Sequence, residues 1–187
     1  MALARAFCYP VGMNRLPEPI SGQLSLAVLP PRLSQPLLHM VARLALRGPL
    51  RVLDGGNRFN AYTVAQALRQ HTEQVEAVLG RIRIARAFTC YQVAALLAET
   101  PALPEPTVAL DLLATFRDES VPLWERRRLL ACCREHLRRL ASRAPLLVSA
   151  SAQGASGVDE LLALLEEAAD QVWRFAPLPP PAPLRLF

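Results

Sequence analysis

Lysine is absent from this chain of 187 residues, so all 21 basic residues are arginine. A mechanism that depends on a lysine ammonium group, such as a phosphate-loop lysine or a Schiff base, is therefore excluded for the chain alone. The arginines outnumber the 16 acidic residues and leave a formal net charge of +5. This excess is compatible with a polyanionic partner such as DNA.

Long apolar runs, a signal-peptide pattern and a C-x-x-C pair are also missing. No apolar run approaches the roughly 20 residues of a membrane span, and the N-terminus has no signal-peptide pattern, so we expect a cytoplasmic protein without membrane contact. The four cysteines form no C-x-x-C pair, and the three histidines lie at unrelated spacings. We therefore expect no metal site and no cofactor, and interpret the cysteines as small buried apolar residues.

Short apolar segments alternate with amphipathic segments along most of the chain. The apolar segments predict strands over 24–28, 51–54, 82–85, 107–111, 145–149 and 171–175. The amphipathic segments predict helices, of which 122–142 is the longest and 34–46 begins at Ser34 as its N-cap. Buried strands that alternate with helices indicate an α/β fold: a doubly wound, mostly parallel sheet with helices on both faces. Ligands of such sheets bind beyond the carboxyl ends of the strands.

Composition divides the chain into three parts. Residues 1–20 contain three prolines and little periodicity, which predicts an irregular leader. Residues 21–176 contain the alternating segments and predict one α/β domain. Residues 177–187 are rich in proline, which predicts an extended C-terminal tail.

The second predicted strand and its turn read Val52-Leu-Asp-Gly-Gly-Asn-Arg-Phe59, and the third strand runs into Ala85-Arg-Ala-Phe88. This order resembles the RecA/RadA family of strand-exchange recombinases. The resemblance implies a RecA-like, P-loop NTPase-type core over residues 21–176. In it, Ser21–Val28 corresponds to the strand that leads into the phosphate-binding loop, and Thr107–Asp111 to the Walker B strand.

The phosphate-binding loop departs from the family pattern. It reads Leu29-Pro-Pro-Arg-Leu-Ser-Gln-Pro36, with three prolines and neither glycine nor lysine. Such loops bind phosphate through backbone N–H groups and a lysine, and each proline removes one N–H donor. We interpret Arg32, Ser34 and Asp111 as the remnant of a nucleotide site, with Asp111 matching the Walker B aspartate. The competing interpretation is that Asp111 only caps a neighbouring turn.

The catalytic base is missing as well. The family carries a glutamate in the turn after its second strand, where this chain has Gly55-Gly56-Asn57, and none of these is a general base. A tight strand-to-helix turn is the favoured interpretation of these residues. The family's polar sensor is replaced by Ser149-Ala-Ser151, to which we assign no role. We therefore predict no ATPase activity and name no catalytic residue.

An arginine stripe runs along the longest predicted helix. Arg127, Arg134 and Arg138 share it at positions i, i+7 and i+11, which predicts a contact with DNA phosphates. The alternative is a solvated face paired with Glu125 and Glu135.

The C-terminus ends in Pro183-Leu-Arg-Leu-Phe187. This resembles the short peptides with which bacterial repair proteins bind the sliding clamp, and it implies that Leu184, Leu186 and Phe187 would enter an apolar groove. The alternative is that these three side chains fold back onto their own domain.

Three hypotheses of function follow. The first is an ATPase-inactive RecA-like paralogue, of which ImuA-like mutasome subunits are one example, that assists DNA recombination or repair by binding a recombinase, a polymerase or the sliding clamp. The second is a subunit that contributes Arg32, Arg58 or Arg86 in trans to a composite ATP site. The third is a purely structural interaction domain without a DNA role.

Overall fold

The computed structural model describes residues 5–10, 16–30, 34–151 and 157–176. The strands in these ranges are β1 (Arg5–Pro10), β2 (Leu24–Leu29), β3 (Leu50–Asp54), β4 (Ile82–Arg86), β5 (Thr107–Leu110), β6 (Leu146–Ser151) and β7 (Gln171–Ala176). The α-helices are α1 (Gln35–Arg47), α2 (Ala61–Arg69), α3 (Val75–Leu79), α4 (Cys90–Glu99), α5 (Leu123–Ala141) and α6 (Val158–Ala168). A 3₁₀ helix covers Ala114–Arg117.

The seven strands form one sheet in the order β1-β7-β2-β6-β5-β3-β4. Every neighbouring pair is parallel, so the predicted α/β fold with a parallel sheet is confirmed. Because all strands run in one direction, their carboxyl ends share one edge of the sheet, here called the carboxyl edge. The ends of β2, β6 and β5 lie side by side along it.

Helices cover both faces of the sheet. One core lies under α1, α2 and α3, and the other under α4, α5 and α6. In β2, Leu26 and Val28 contribute to the second core, whereas Ala27 and Leu29 contribute to the first. This burial on both sides explains why the strands read as continuous apolar segments. None of the helices in the described ranges combines the length and apolarity that a membrane crossing needs.

Side-chain caps begin two of the helices at the carboxyl edge. The Thr89 hydroxyl accepts a hydrogen bond from the Gln92 N–H at 3.1 Å, and the Asn60 side chain accepts one from the Thr63 N–H at 3.1 Å. Ser34 occupies the predicted N-cap position of α1, but its side chain makes no capping hydrogen bond. Its backbone is already helical, with φ −96° and ψ −18°, whereas capping side chains usually extend from β-region backbone.

These caps give a matched pair of substitutions. Thr89→Ala is expected to lower the free energy of unfolding by about 1 kcal/mol, because it removes the capping hydrogen bond that the Thr89 hydroxyl accepts from the Gln92 N–H. Ser34→Ala is expected to change it by less than about 0.5 kcal/mol. Urea denaturation of both variants measures the difference, and equal losses would contradict this account of the helix starts.

The N-terminal residues differ from the sequence expectation. The predicted irregular leader is wrong for Arg5–Pro10, which pairs in parallel with β7. Leu16 is buried in the core under α1, and Glu18 forms ion pairs with Arg43 and Arg47 of that helix. The prolines in this segment argued against a strand. Pro10, however, lies at the end of an edge strand, where its missing N–H removes no interior ladder bond.

Candidate functional site

A small cleft opens at the carboxyl edge, where β2, β6 and β5 end. The predicted remnant of a nucleotide site falls at this cleft. Its lining residues are Leu29, Pro30, Ser34, Leu37, Arg58, Asp111, Ser149, Ala150 and Ser151. The structure therefore brings two of the predicted remnant residues, Ser34 and Asp111, together, while Arg32 lies outside the described residues.

The Asp111 carboxylate is engaged on both of its oxygens. Asp111 directly follows β5 and is only 5% exposed. Its Oδ1 accepts hydrogen bonds from the backbone N–H of Ser151 at 3.2 Å and from the Ser151 hydroxyl at 2.9 Å. Its Oδ2 accepts one from Nε of Arg58 at 3.0 Å. Through these bonds Asp111 ties the end of β5 to the end of β6 and to Arg58, rather than capping a neighbouring turn as the alternative interpretation had it.

A second guanidinium lies beside the same carboxylate. Arg117, in the 3₁₀ helix after β5, donates hydrogen bonds to the carbonyl oxygen of Ser151 at 3.3 Å and to its hydroxyl. Its Nη2 lies 3.9 Å from Oδ1 of Asp111. Two fixed cations thus share one carboxylate, and a Mg²⁺ ion at this position would meet both positive charges.

The turn after β3 positions Arg58. Asp54 is buried at the end of that strand and accepts hydrogen bonds from the backbone N–H groups of Arg58 at 2.8 Å and Phe59 at 3.0 Å. Asn57 has a left-handed backbone with φ 52°, which asparagine tolerates better than most residues. The predicted tight turn is confirmed, and it directs the Arg58 side chain to Asp111.

Gly56 allows this turn to approach Asp111. A Cβ atom added at Gly56 would lie 2.6 Å from Cβ of Asp111 and 3.0 Å from its Oδ2. Asp111 itself has a left-handed backbone with φ 46°. The missing side chain at Gly56 is therefore a packing requirement of the Arg58–Asp111 contact rather than a ligand-binding feature.

The space that the described residues enclose in the cleft is small. They leave about 20 Å³ for the centre of a water molecule, and a single water needs roughly 10–15 Å³.

The buried cysteines supply no nucleophile. Cys90 and Cys133 are both buried free thiols, as the sequence predicted. Burial raises the pKa of the Cys133 thiol to about 12 and also raises the pKa of Cys90, so neither forms a thiolate at neutral pH. Cys132 is only half-buried.

The predicted arginine stripe lies on the surface of α5, but its members differ. Arg127 and Arg138 are exposed and Arg134 is half-buried. Arg127 pairs with Glu160 of α6, whereas Arg134 and Arg138 have no ion-pair partner among the described residues. Glu125 pairs with Arg128, which lies outside the stripe, so the predicted pairing of the stripe with Glu125 and Glu135 is not found among the described residues. Contact with DNA stays a prediction for Arg134 and Arg138.

From the sequence, Arg58 was predicted only as a residue acting in trans. Arg117 and Ser151 were not predicted to lie with it beside Asp111. Arg58 and Ser151 have no local pattern that marks them, because they meet Asp111 only through the order of the strands. Arg117 lies in the 3₁₀ helix that follows β5. The predicted clamp-binding residues Leu184, Leu186 and Phe187 lie outside the described residues. No protein-family model matches this chain, and no curated protein matches it.

Proposed function

We propose that this chain is a RecA-like protein that does not turn over ATP and that acts as an accessory binding protein in DNA recombination or repair. The observation that carries the proposal is the Arg58–Asp111 contact at 3.0 Å. The carboxylate that would hold a metal ion in an active relative is neutralised here by the chain's own guanidinium. The prolines and the absence of lysine in the preceding loop support the same conclusion.

The fold is consistent with the RecA part of the proposal. The strand matched to the phosphate loop, β2, and the strand matched to Walker B, β5, flank β6, so their ends meet at one cleft. The matched segment Ala85–Phe88 ends the edge strand β4. A role in DNA transactions rests on this resemblance and on the net charge of +5.

A composite ATP site is less well supported. An arginine that acts on a partner's phosphates must be able to leave its own chain. Arg58 is bound to Asp111, and Arg86 lies 3.4 Å from the buried carboxylate of Asp54. Both arginines therefore have structural partners within the chain.

DNA binding is tested by fluorescence-anisotropy titration of a single-stranded oligonucleotide at low and moderate salt. If Arg134 and Arg138 contact phosphates, the double variant Arg134→Ala/Arg138→Ala should reduce the salt slope by about 1.4, at about 0.7 per contact. Arg69→Ala is the matched control, because Arg69 is exposed on α2, against the opposite face of the sheet, and has no ion pair among the described residues. A change in Arg69→Ala half as large as in the double variant would mean that only net charge matters, because the control removes one charge and the double variant removes two.

Partner binding is tested by pull-down of purified recombinase, polymerase and sliding clamp, with and without ATP. We expect retention of at least one of these proteins, independent of ATP. Retention of none of them, together with no DNA binding, would leave the purely structural hypothesis and overturn the proposal.

A further inference from the structure

Arg58 and Arg86 hold their carboxylate partners at the carboxyl edge through one nitrogen each. Arg58 donates from Nε to Oδ2 of Asp111 at 3.0 Å, and Arg86 donates from Nε to Oδ2 of Asp54 at 3.4 Å. Within the described residues, neither side chain makes another hydrogen bond, and the two are 33% and 44% exposed. Both terminal nitrogens of each guanidinium group are therefore available as donors.

Printed contacts join the two arginines into one network across the strand ends. Asp54 accepts hydrogen bonds from the Arg58 backbone N–H at 2.8 Å and from the Arg86 side chain. Asp111 accepts one from the Arg58 side chain, and its Oδ1 lies 3.9 Å from Nη2 of Arg117. The anchoring carboxylates belong to the ends of β3 and β5, which are neighbours in the sheet at a usual spacing of about 4.8 Å. The network thus holds the guanidinium groups of Arg58 and Arg86 on adjacent strand ends.

The network presents positive charge to solvent. Its three guanidinium groups and two carboxylates leave one net positive charge. Asp54 and Asp111 are 1% and 5% exposed, so the negative charges are buried, whereas the side chains of Arg58 and Arg86 reach the surface. A guanidinium group that keeps both terminal nitrogens can bind two oxygens of one phosphate. This arrangement suits phosphate groups that approach from solvent.

An exposed aromatic ring follows Arg86 in the chain. The Ala87 N–H donates to the carbonyl oxygen of Asp54 at 3.1 Å, so the backbone stays paired with β3 beyond the end of β4. Arg86 is exposed, Ala87 is buried and Phe88 is 69% exposed, the alternation of an extended backbone that directs residues 86 and 88 to the same side. The Phe88 N–H donates to Oε1 of Gln92 at 2.8 Å, which fixes the backbone at the ring. Proteins bind single strands by combining basic side chains with such exposed rings, on which bases stack.

We propose that Arg58, Arg86 and Phe88 form a contact for single-stranded DNA, in which the guanidinium groups bind phosphates and the ring stacks on a base. This inference rests on the proposed role in DNA recombination or repair, and it names a surface separate from the arginine stripe of α5. Duplex DNA is a poorer ligand, because its bases must be unstacked first. ATP with Mg²⁺ is also a poorer ligand, because its metal ion would meet the same positive charges.

Arg86→Lys tests the guanidinium group without a change of net charge. The lysine ammonium group can still pair with Asp54, but it has no second nitrogen to offer a phosphate. In anisotropy titrations of a single-stranded oligonucleotide with the full chain, the salt slope should fall by about 0.7, the value of one lost phosphate contact. Arg69→Lys is the matched control, because Arg69 is exposed on α2 and has no ion pair among the described residues. Its salt slope should equal that of wild type.

Phe88→Ala tests the ring. It should lower the affinity for the same oligonucleotide at least about fivefold, the lower end of what one stacked base contributes. The salt slope should stay at the wild-type value, since no charge is lost. Trp124→Ala is the matched control, because Trp124 is 67% exposed but follows a turn in which Asp118 and Glu119 are exposed. It should bind like wild type, and all variants should keep the wild-type far-ultraviolet circular dichroism spectrum.

Wild-type values for either Arg86→Lys or Phe88→Ala would overturn this inference, while DNA binding by the chain and the proposed function would stand. Equal affinity of the wild-type chain for the single strand and for a duplex of the same sequence would also overturn it. If the wild-type chain binds no single-stranded DNA, the inference fails and the pull-down alone decides the proposed function. Unchanged DNA binding with loss of a retained partner protein would assign the surface to a protein contact instead.

Discussion

The Gly56→Ala variant is expected to lose about 2–3 kcal/mol of unfolding free energy. The added Cβ would meet Cβ of Asp111 at 2.6 Å, a separation that non-bonded carbons do not adopt. Relief requires Asp111 to move, and that movement breaks its hydrogen bonds to Ser151 and Arg58. Equilibrium denaturation in urea measures the loss.

Gly48→Ala is the matched control. A Cβ at Gly48 meets nothing within 4 Å, and the residue is extended rather than left-handed. Its replacement should change stability by less than about 0.5 kcal/mol. A Gly56→Ala protein as stable as the Gly48→Ala protein would mean that the β3 turn does not pack on Asp111.

The pair Arg58→Met and Asp111→Asn is expected to be strongly coupled. Arg58→Met keeps the aliphatic stem but leaves a buried carboxylate without its closest cation, so a loss of about 2 kcal/mol is expected, below the full penalty of a completely buried pair because a third of Arg58 is exposed. Asp111→Asn retains the left-handed backbone and should lose about 1–2 kcal/mol. The double variant should fall short of the sum by about 1 kcal/mol or more.

The control for this cycle is an exposed ion pair. Arg127→Met removes the partner of Glu160, and both side chains of that pair are more than 40% exposed, so the loss should stay below about 0.5 kcal/mol. Additive losses at Arg58 and Asp111 would show that the two charges do not interact in solution.

Much of the fold could be predicted from the sequence, because strands that are buried on both faces read as continuous apolar segments. The apolar segments from Leu24 and Leu146 were predicted as strands and are buried throughout. The cap at Thr89 is a signal of the same kind, since a threonine before an amphipathic segment has a local effect. Both signals are contained within a few neighbouring residues.

The strand β1 was not predictable in this way. Its six residues end in proline and have no helical or alternating pattern, and their pairing with β7 joins segments more than 160 residues apart. Which segment becomes an edge strand depends on how all the strands of the sheet pair with one another. A single segment of sequence does not contain this information.

The site was predictable in part. The missing glycines and lysine predict a loop that does not wrap phosphates, and Asp111 was placed correctly at a strand end. The contact between Arg58 and Asp111 was not predicted, because it depends on the approach of the β3 turn to the end of β5. Only the strand order makes these two loops neighbours.

Isothermal titration of ATP with Mg²⁺ into the full chain tests the central claim most directly. That claim is that Arg58 occupies the carboxylate a nucleotide-bound metal would use. The account predicts no heat beyond that of dilution for wild type. A saturable isotherm with one nucleotide per chain would contradict it.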